Sequence, residues 1–295
     1  MKISIIGAGN VGAMVASRVI DNGLADVVLV DVVPGMAKGK ALDISDAKPI
    51  FSSRSGITGT ENFADIKGSD IVVITAGLAR KPGMSREDLL KKNTKIIKEV
   101  SIQIKNYCPS SIVIVVTNPL DVMSYLVMKT TGFNPKKVIG MAGVLDTARF
   151  INALWERNQD IDRDKVLMMG SHGDTMVPVN RSENISSEVF SETSELARNR
   201  GAEIVKHLGT GSAYFAPSAS VFAMLKAIVK NEKSAICASA YLEGQYGEKD
   251  IYIGVPVVLG SLGIEKIIEI ELTKEEKQAF KKSALQIRET ISKTL

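Results

Sequence analysis

From Met1 to about Gly140 the chain alternates short apolar, β-branched runs with longer stretches whose apolar positions recur at helical spacing. The runs are Ile3 to Ile6, Val27 to Val30, Ile71 to Thr75, Ile112 to Thr117 and Lys137 to Ile139, each closely followed by Gly, Asp, Asn or Pro. Runs without polar alternation read as strands covered on both faces, so the pattern predicts βαβ units and a parallel sheet. Sheets of this kind bind ligands beyond the carboxyl ends of their strands. Past about Met141 the texture changes. A helical stretch from Leu145 to Asn158 precedes shorter apolar pieces broken by Gly and Pro, such as Ile251 to Val258. From Thr273 to Leu295 the spacing predicts an amphipathic helix with Phe280, Ala284, Ile287 and Ile291 on one face, opened by a capping box between Thr273 and Glu276.

The first run leads into a motif. Gly7-Ala8-Gly9-Asn10-Val11-Gly12 follows it directly and opens a helix, and Asp31 ends the second run. Strand, glycines, helix, strand and acid in this order form a dinucleotide fingerprint. Gly7 allows the tight turn, Gly9 lets a pyrophosphate approach the backbone, Gly12 lets helix and strand pack, and the helix N-terminus receives the negative charge. Asp31 suits the adenosine ribose hydroxyls and repels a 2′-phosphate, and Val32 and Val33 offer no arginine to welcome one. NAD is therefore expected over NADP, with FAD open on the fingerprint alone. The fold class expected is α/β: a Rossmann-type doubly wound parallel sheet domain over residues 1–143, then a mixed α+β catalytic domain over 144–295. Without a linker or internal repeat between them, the two parts are expected to pack tightly.

Composition narrows the partners. The 295 residues are 45% hydrophobic and 24% charged, enough for a sizeable core. Lysine and arginine number 37 against 33 acids, with the signs interspersed, and aromatics are 5%. That lacks the basic stripe and aromatics of a nucleic-acid binder, while a mildly positive field suits an anionic small molecule. Cys108 and Cys237 have neither CxxC spacing nor histidine company, so disulfide and metal sites are not expected. The apolar start runs into glycine too early for a signal segment, and no run is long enough to span a membrane. A cytoplasmic protein with no membrane partner is expected.

Of two histidines, one lies in Gly170-Ser171-His172-Gly173-Asp174. An imidazole with an ordinary pKa near ~6.5 exchanges protons with a hydroxyl at neutral pH once a carboxylate fixes its tautomer. Asp146 and Asp174 are both candidates. His207, at a predicted helix end, is read as structural, and Trp155, Met168 and Met169 as packing.

Three further segments join the His172 loop: Leu78-Ala79-Arg80-Lys81-Pro82-Gly83-Met84-Ser85-Arg86, Thr117-Asn118-Pro119-Leu120-Asp121, and Gly143-Val144-Leu145-Asp146-Thr147-Ala148-Arg149-Phe150. With Gly211 to Pro217 they resemble the lactate and malate dehydrogenase family over nearly the whole chain. The resemblance implies His172 as proton donor and acceptor with Asp146 as its partner, Arg149 on the substrate's C1 carboxylate, and Arg86 polarising the reacting carbonyl. It also implies Asn118 beside substrate and nicotinamide with a cis bond to Pro119, and Ala76, Gly77, Asn93 and Val116 along the cofactor. Arg80 stands where malate enzymes of the family carry arginine and lactate enzymes an uncharged residue. A second substrate carboxylate would neutralise it, whereas pyruvate would leave it buried and unpaired. Ala213 leaves room for the longer, dicarboxylic hydroxy or keto acid. Residues 77–90, with Gly77 and Gly83 around the arginines, are expected to form a lid. Ser171 departs from the commonest family choice. The family also implies a homo-oligomer, dimer or tetramer. A lactate or broad-specificity 2-hydroxy-acid dehydrogenase is the alternative within the class, and an NAD-sensing module without chemistry the alternative outside it.

Overall fold

The structure, a computed structural model, describes residues 1–78 and 86–294, with Arg86 described in its backbone alone. Arg80, the Arg86 side chain and half of the expected lid, residues 79–85, therefore lie outside the described residues.

Six strands open the chain: β1 (Lys2–Ile6), β2 (Asp26–Val30), β3 (Ile57–Thr60), β4 (Ile71–Ile74), β5 (Ile112–Val115) and β6 (Val138–Gly140). Helices α1 (Asn10–Asp21), α2 (Met36–Ala47), α3 (Arg86–Tyr107) and α4 (Leu120–Thr131) connect them. All six strands are parallel, in the spatial order β3-β2-β1-β4-β5-β6, so the order reverses between β1 and β4. The crevice at that reversal is where such sheets take a nucleotide. Ile3, Ile5, Leu29, Val72, Val73, Val113 and Val115 are buried, which is why these strands read as unbroken apolar runs.

The strand β3, absent from the apolar pattern, is an edge strand with the sequence Ile-Thr-Gly-Thr. Its Gly59 faces α2 so closely that a Cβ would collide with the Ala37 carbonyl. A strand built to admit a helix backbone carries too little apolar surface to announce itself.

The second part contains α5 (Gly143–Trp155), β7 (Val166–Gly170), β8 (Met176–Asn180), α6 (Ser187–Leu208), α7 (Phe215–Val229), β9 (Ser234–Glu243), β10 (Lys249–Gly260), β11 (Gly263–Ile267) and α8 (Lys274–Thr294). Its strands pair antiparallel, and β9 joins β6 through Gly140 and Ser239, so one sheet runs through both parts. One apolar cluster likewise runs from Ile3 and Leu29 to Val255 and Phe280, as the absence of a linker led us to expect. The capping box of α8 is present: Thr273 N–H donates to Glu276 at 2.8 Å and Glu276 N–H to Thr273 Oγ1 at 3.2 Å. Met168 and Met169 are core, and His207 lies in the last turn of α6. Trp155 corrects the packing expectation. It ends α5 at 51% exposure, with the Arg163 guanidinium 5.8 Å from its ring centre.

Candidate active site

The glycine loop leaves β1 at the reversal point. Gly7 has φ +106°, and a Cβ on it would lie 2.6 Å from the Ala76 nitrogen. A Cβ on Gly12 would run into the Gly7 carbonyl, so α1 packs hard on the turn. Gly9 is different, since a Cβ there would meet nothing within 4 Å, and the space before it is open. It caps α1 without a side-chain partner, and the first turn holds no acid, so Asn10, Val11 and Gly12 offer main-chain N–H groups to an anion. Asp31 Oδ2 accepts from Ala8 N–H at 2.6 Å and Oδ1 from Val33 N–H at 2.9 Å, which aims the carboxylate along the loop. An open glycine face, a bare helix start and a fixed acid fit a dinucleotide.

Ala76 and Val116 continue this rim at the ends of β4 and β5, their N–H groups bonded to Ile6 and Ile74 carbonyls at 2.7 and 2.9 Å. Asn93, from α3, is 1% exposed. Its Oδ1 accepts from Leu78 N–H at 2.8 Å, and its Nδ2 donates to the carbonyls of Asn118 at 2.8 Å and Leu78 at 3.3 Å. One amide thus ties the loop after β4, where Gly77 lies, to the loop after β5. The Asn118–Pro119 bond is cis.

At the end of β7, Gly170 takes φ +83° and turns the chain into the His172 loop. His172 Nδ1 lies 2.8 Å from Asp146 Oδ2. Asp146 is 3% exposed in the first turn of α5. Burial disfavours a charged His172 ring, but the Asp146 carboxylate outweighs it by charge and hydrogen bond and holds the proton above the ordinary imidazole range. With Nδ1 engaged, Nε2 is the atom left for a substrate. His172 lines a cleft of about 1040 Å³ with Asn118, Pro119, Asp121, Gln286 and Thr290.

Arg149, one turn beyond Asp146, sets Nη1 3.7 Å from Asp146 Oδ1 at 11% side-chain exposure. Among the described residues, neither Asp146 Oδ1 nor Arg149 Nε has a hydrogen-bond partner. Burial lowers the Arg149 pKa while Asp146 opposes that, so a second carboxylate is what this guanidinium lacks. Gly201 on α6 lies beside it, where a Cβ would sit in ordinary contact at 3.5 Å. Ala213 lies in the segment entering α7, outside the residues that line the cleft.

Two supports escaped the sequence reading. Asp121 accepts from the His172 main-chain N–H at 3.0 Å and from Ser239 Oγ at 2.6 Å, and burial pushes its carboxyl up to about 6 against those two bonds. The acid of Asn-Pro-Leu-Asp was visible in the sequence, but Ser239 is 118 residues away and only the β6–β9 pairing brings it near. Secondly, Ser171 N–H donates to Ser283 Oγ at 2.7 Å, and Thr175 Oγ1 donates to Gln286 Oε1 at 2.8 Å, so α8 fastens the loop from behind.

An imidazole paired with a buried carboxylate, and an open glycine loop at the reversal of a parallel sheet, fit the class of NAD-dependent oxidoreductases. The comparisons give the lineage. Residues 1–140 match the lactate/malate dehydrogenase NAD binding domain, and 143–295 the lactate/malate dehydrogenase alpha/beta C-terminal domain. A malate dehydrogenase of Methanosarcina mazei is 49% identical over 99% of both chains, and one of Rhodopirellula baltica 48% identical over 99% of this chain and 96% of its own. Among solved structures, Cryptosporidium parvum malate dehydrogenase superposes with TM-score 0.94 at 38% identity, covering 99% of this chain and 98% of its own. The lactate dehydrogenase of the same organism, complexed with lactic acid and nicotinamide adenine dinucleotide, also gives 0.94 at 38%, over 99% and 97%. The chain belongs to the lactate/malate dehydrogenase family.

Proposed function

We propose that this chain is an NAD-dependent malate dehydrogenase, interconverting (S)-malate and oxaloacetate. The observation that carries the chemistry is the buried Asp146 bonded to His172 Nδ1 at 2.8 Å, with Nε2 left free to exchange a proton with the substrate hydroxyl. Gly7, Gly9, Asn10, Val11, Gly12 and Asp31 hold the cofactor's adenosine and phosphate side, while Ala76, Gly77, Val116 and Asn118 line its path toward His172, with Asn93 fixing the two loops. When bound, the nicotinamide supplies or receives the hydride. Arg149 grips the C1 carboxylate, His172 gives its proton to the carbonyl oxygen as oxaloacetate is reduced, and Asp146 stabilises the ring while it is charged. Arg86 polarises that carbonyl.

Substrate choice rests on Arg80, because the fold itself matches lactate and malate enzymes equally well. Pairing Arg80 with the distal carboxylate and Arg149 with the proximal one neutralises both charges of the longer acid. Residues 1–143 form the cofactor domain and 144–295 the substrate domain. The protein works in the cytoplasm as a homo-oligomer, dimer or tetramer; the exposed Leu42, Ile50 and Phe51 supply apolar surface for association. Among the described residues no helix is long and apolar enough to cross a membrane.

His172→Asn tests the chemistry. We expect turnover with oxaloacetate to fall by about 3 to 4 orders of magnitude with NADH binding retained, as for loss of a catalytic base. Turnover near wild type would refute the assignment.

A further inference from the structure

The glycine loop receives a contact from outside its own motif. Lys40, on α2, reaches back over the carboxyl end of the sheet and donates from Nζ to the Ala8 carbonyl at 2.7 Å. The approach is built into the fold. Gly35 starts α2 at φ +75° and donates its N–H to Glu61 Oε1 at 2.8 Å. Gly59 on β3 lacks the side chain that would strike the Ala37 carbonyl, so α2 lies close on the sheet. Lys40 follows Ala37 by three residues and shares its face, which directs the side chain to the loop. The Ala8 backbone is thereby held from both sides, its N–H by Asp31 at 2.6 Å and its carbonyl by Lys40.

The Ala8 carbonyl and the Gly9 N–H belong to one peptide unit. A cation on the carbonyl polarises that unit and strengthens the N–H as a donor. Gly9 is also the residue with open space before it and the cap of a helix whose first turn carries no acid. From behind that peptide the ammonium adds a full, compact positive charge to the partial one of the helix end. We propose that Lys40 is a cofactor-binding residue: it holds the Ala8–Gly9 peptide in its donor orientation and, from behind that peptide, adds positive charge to the field that binds the phosphates of the dinucleotide. The inference rests on the dinucleotide occupying the glycine loop.

Binding of NADH, ADP and adenosine to wild type, Lys40→Met, Lys40→Arg and Lys38→Met, by fluorescence titration and calorimetry at low and high salt, is the test. Lys38 is exposed two residues away on the same helix, so Lys38→Met removes the same charge without the contact. We expect Lys40→Met to weaken NADH and ADP about 10-fold, a charge-assisted bond's worth, and to flatten the salt dependence of their binding. Adenosine should bind unchanged, Lys40→Arg should restore most of the loss, and Lys38→Met should bind like wild type. NADH binding by Lys40→Met equal to wild type would overturn the proposal. So would equal losses for adenosine and ADP, which would make Lys40 only a shaper of the loop, or an equal loss in Lys38→Met. Failure of wild type itself to bind NADH would overturn the cofactor reading, and this inference with it.

Discussion

Replacing Asp146 by Asn removes one charge from the site and almost no volume. In the wild type, Asp146 Oδ2 holds His172 Nδ1 at 2.8 Å, and its carboxylate keeps the ring's proton above the ordinary imidazole range despite burial. In Asp146→Asn the burial remains, Arg149 still repels a charged ring, and the opposing carboxylate is gone, so the pKa should drop below that range. Removing one partner of a buried ion pair costs about 3 kcal/mol or more, roughly a 100-fold loss when the charged ring is the reactive form. The sign follows the direction of reaction. Oxaloacetate reduction needs imidazolium, so its kcat/KM falls as pH rises through the His172 pKa; malate oxidation needs the neutral ring and rises through it. Both limbs should move to lower pH in the variant. Reduction at neutral pH should suffer most, and oxidation less. The assay is the pH profile of kcat/KM in both directions by NADH absorbance, with NADH affinity measured separately. An unmoved limb together with more than about a third of wild-type activity would show that the carboxylate does not govern the imidazole.

Other outcomes follow from the same geometry. Asp121 is fully buried and its carboxyl is raised from 3.8 to about 6, so the folded state keeps a proton that the unfolded chain loses. That group's contribution to stability is greatest below 3.8 and declines as pH rises to about 6, by about 3 kcal/mol from the roughly 2-unit shift. Urea midpoints at several pH values should show this slope in wild type and its loss in Asp121→Asn; equal slopes would refute it. Arg149→Gln should cut kcat/KM for oxaloacetate about 1000-fold, the value of a two-pronged charged contact in a dry site, while NADH binding holds. A loss under about 5-fold would move the carboxylate site elsewhere.

Legibility tracked burial and sequence distance. Parallel strands covered on both faces wrote themselves as apolar runs, so β1, β2, β4, β5 and β6 were readable, while β3 was hidden by the glycine that lets α2 approach. The α8 helix was visible from its spacing and capping box, but its grip on the His172 loop through Ser283 depends on a tertiary contact no local pattern encodes. In the site, spacing alone left Asp146 and Asp174 equal, because only the packing of α5 against the His172 loop brings Asp146 within hydrogen-bonding distance of the ring. Asn93 was expected along the cofactor; both ends of its amide prove to be bonded to backbone, which makes it the tie between the loops after β4 and β5. Asp121 reads locally as an ordinary first-turn helix acid, and becomes notable only when β9 brings Ser239 against it.

The claim most open to decision is the substrate, since lactate and malate enzymes share this fold and the discriminating Arg80 lies outside the described residues. Rates of NADH oxidation with oxaloacetate and with pyruvate, on wild type and Arg80→Gln, test it directly. The account predicts a preference for oxaloacetate of at least about 1000-fold, several kcal/mol, from pairing two carboxylates with two arginines, and its collapse in the variant. Comparable rates with pyruvate in the wild type, or an oxaloacetate preference untouched by Arg80→Gln, would contradict it.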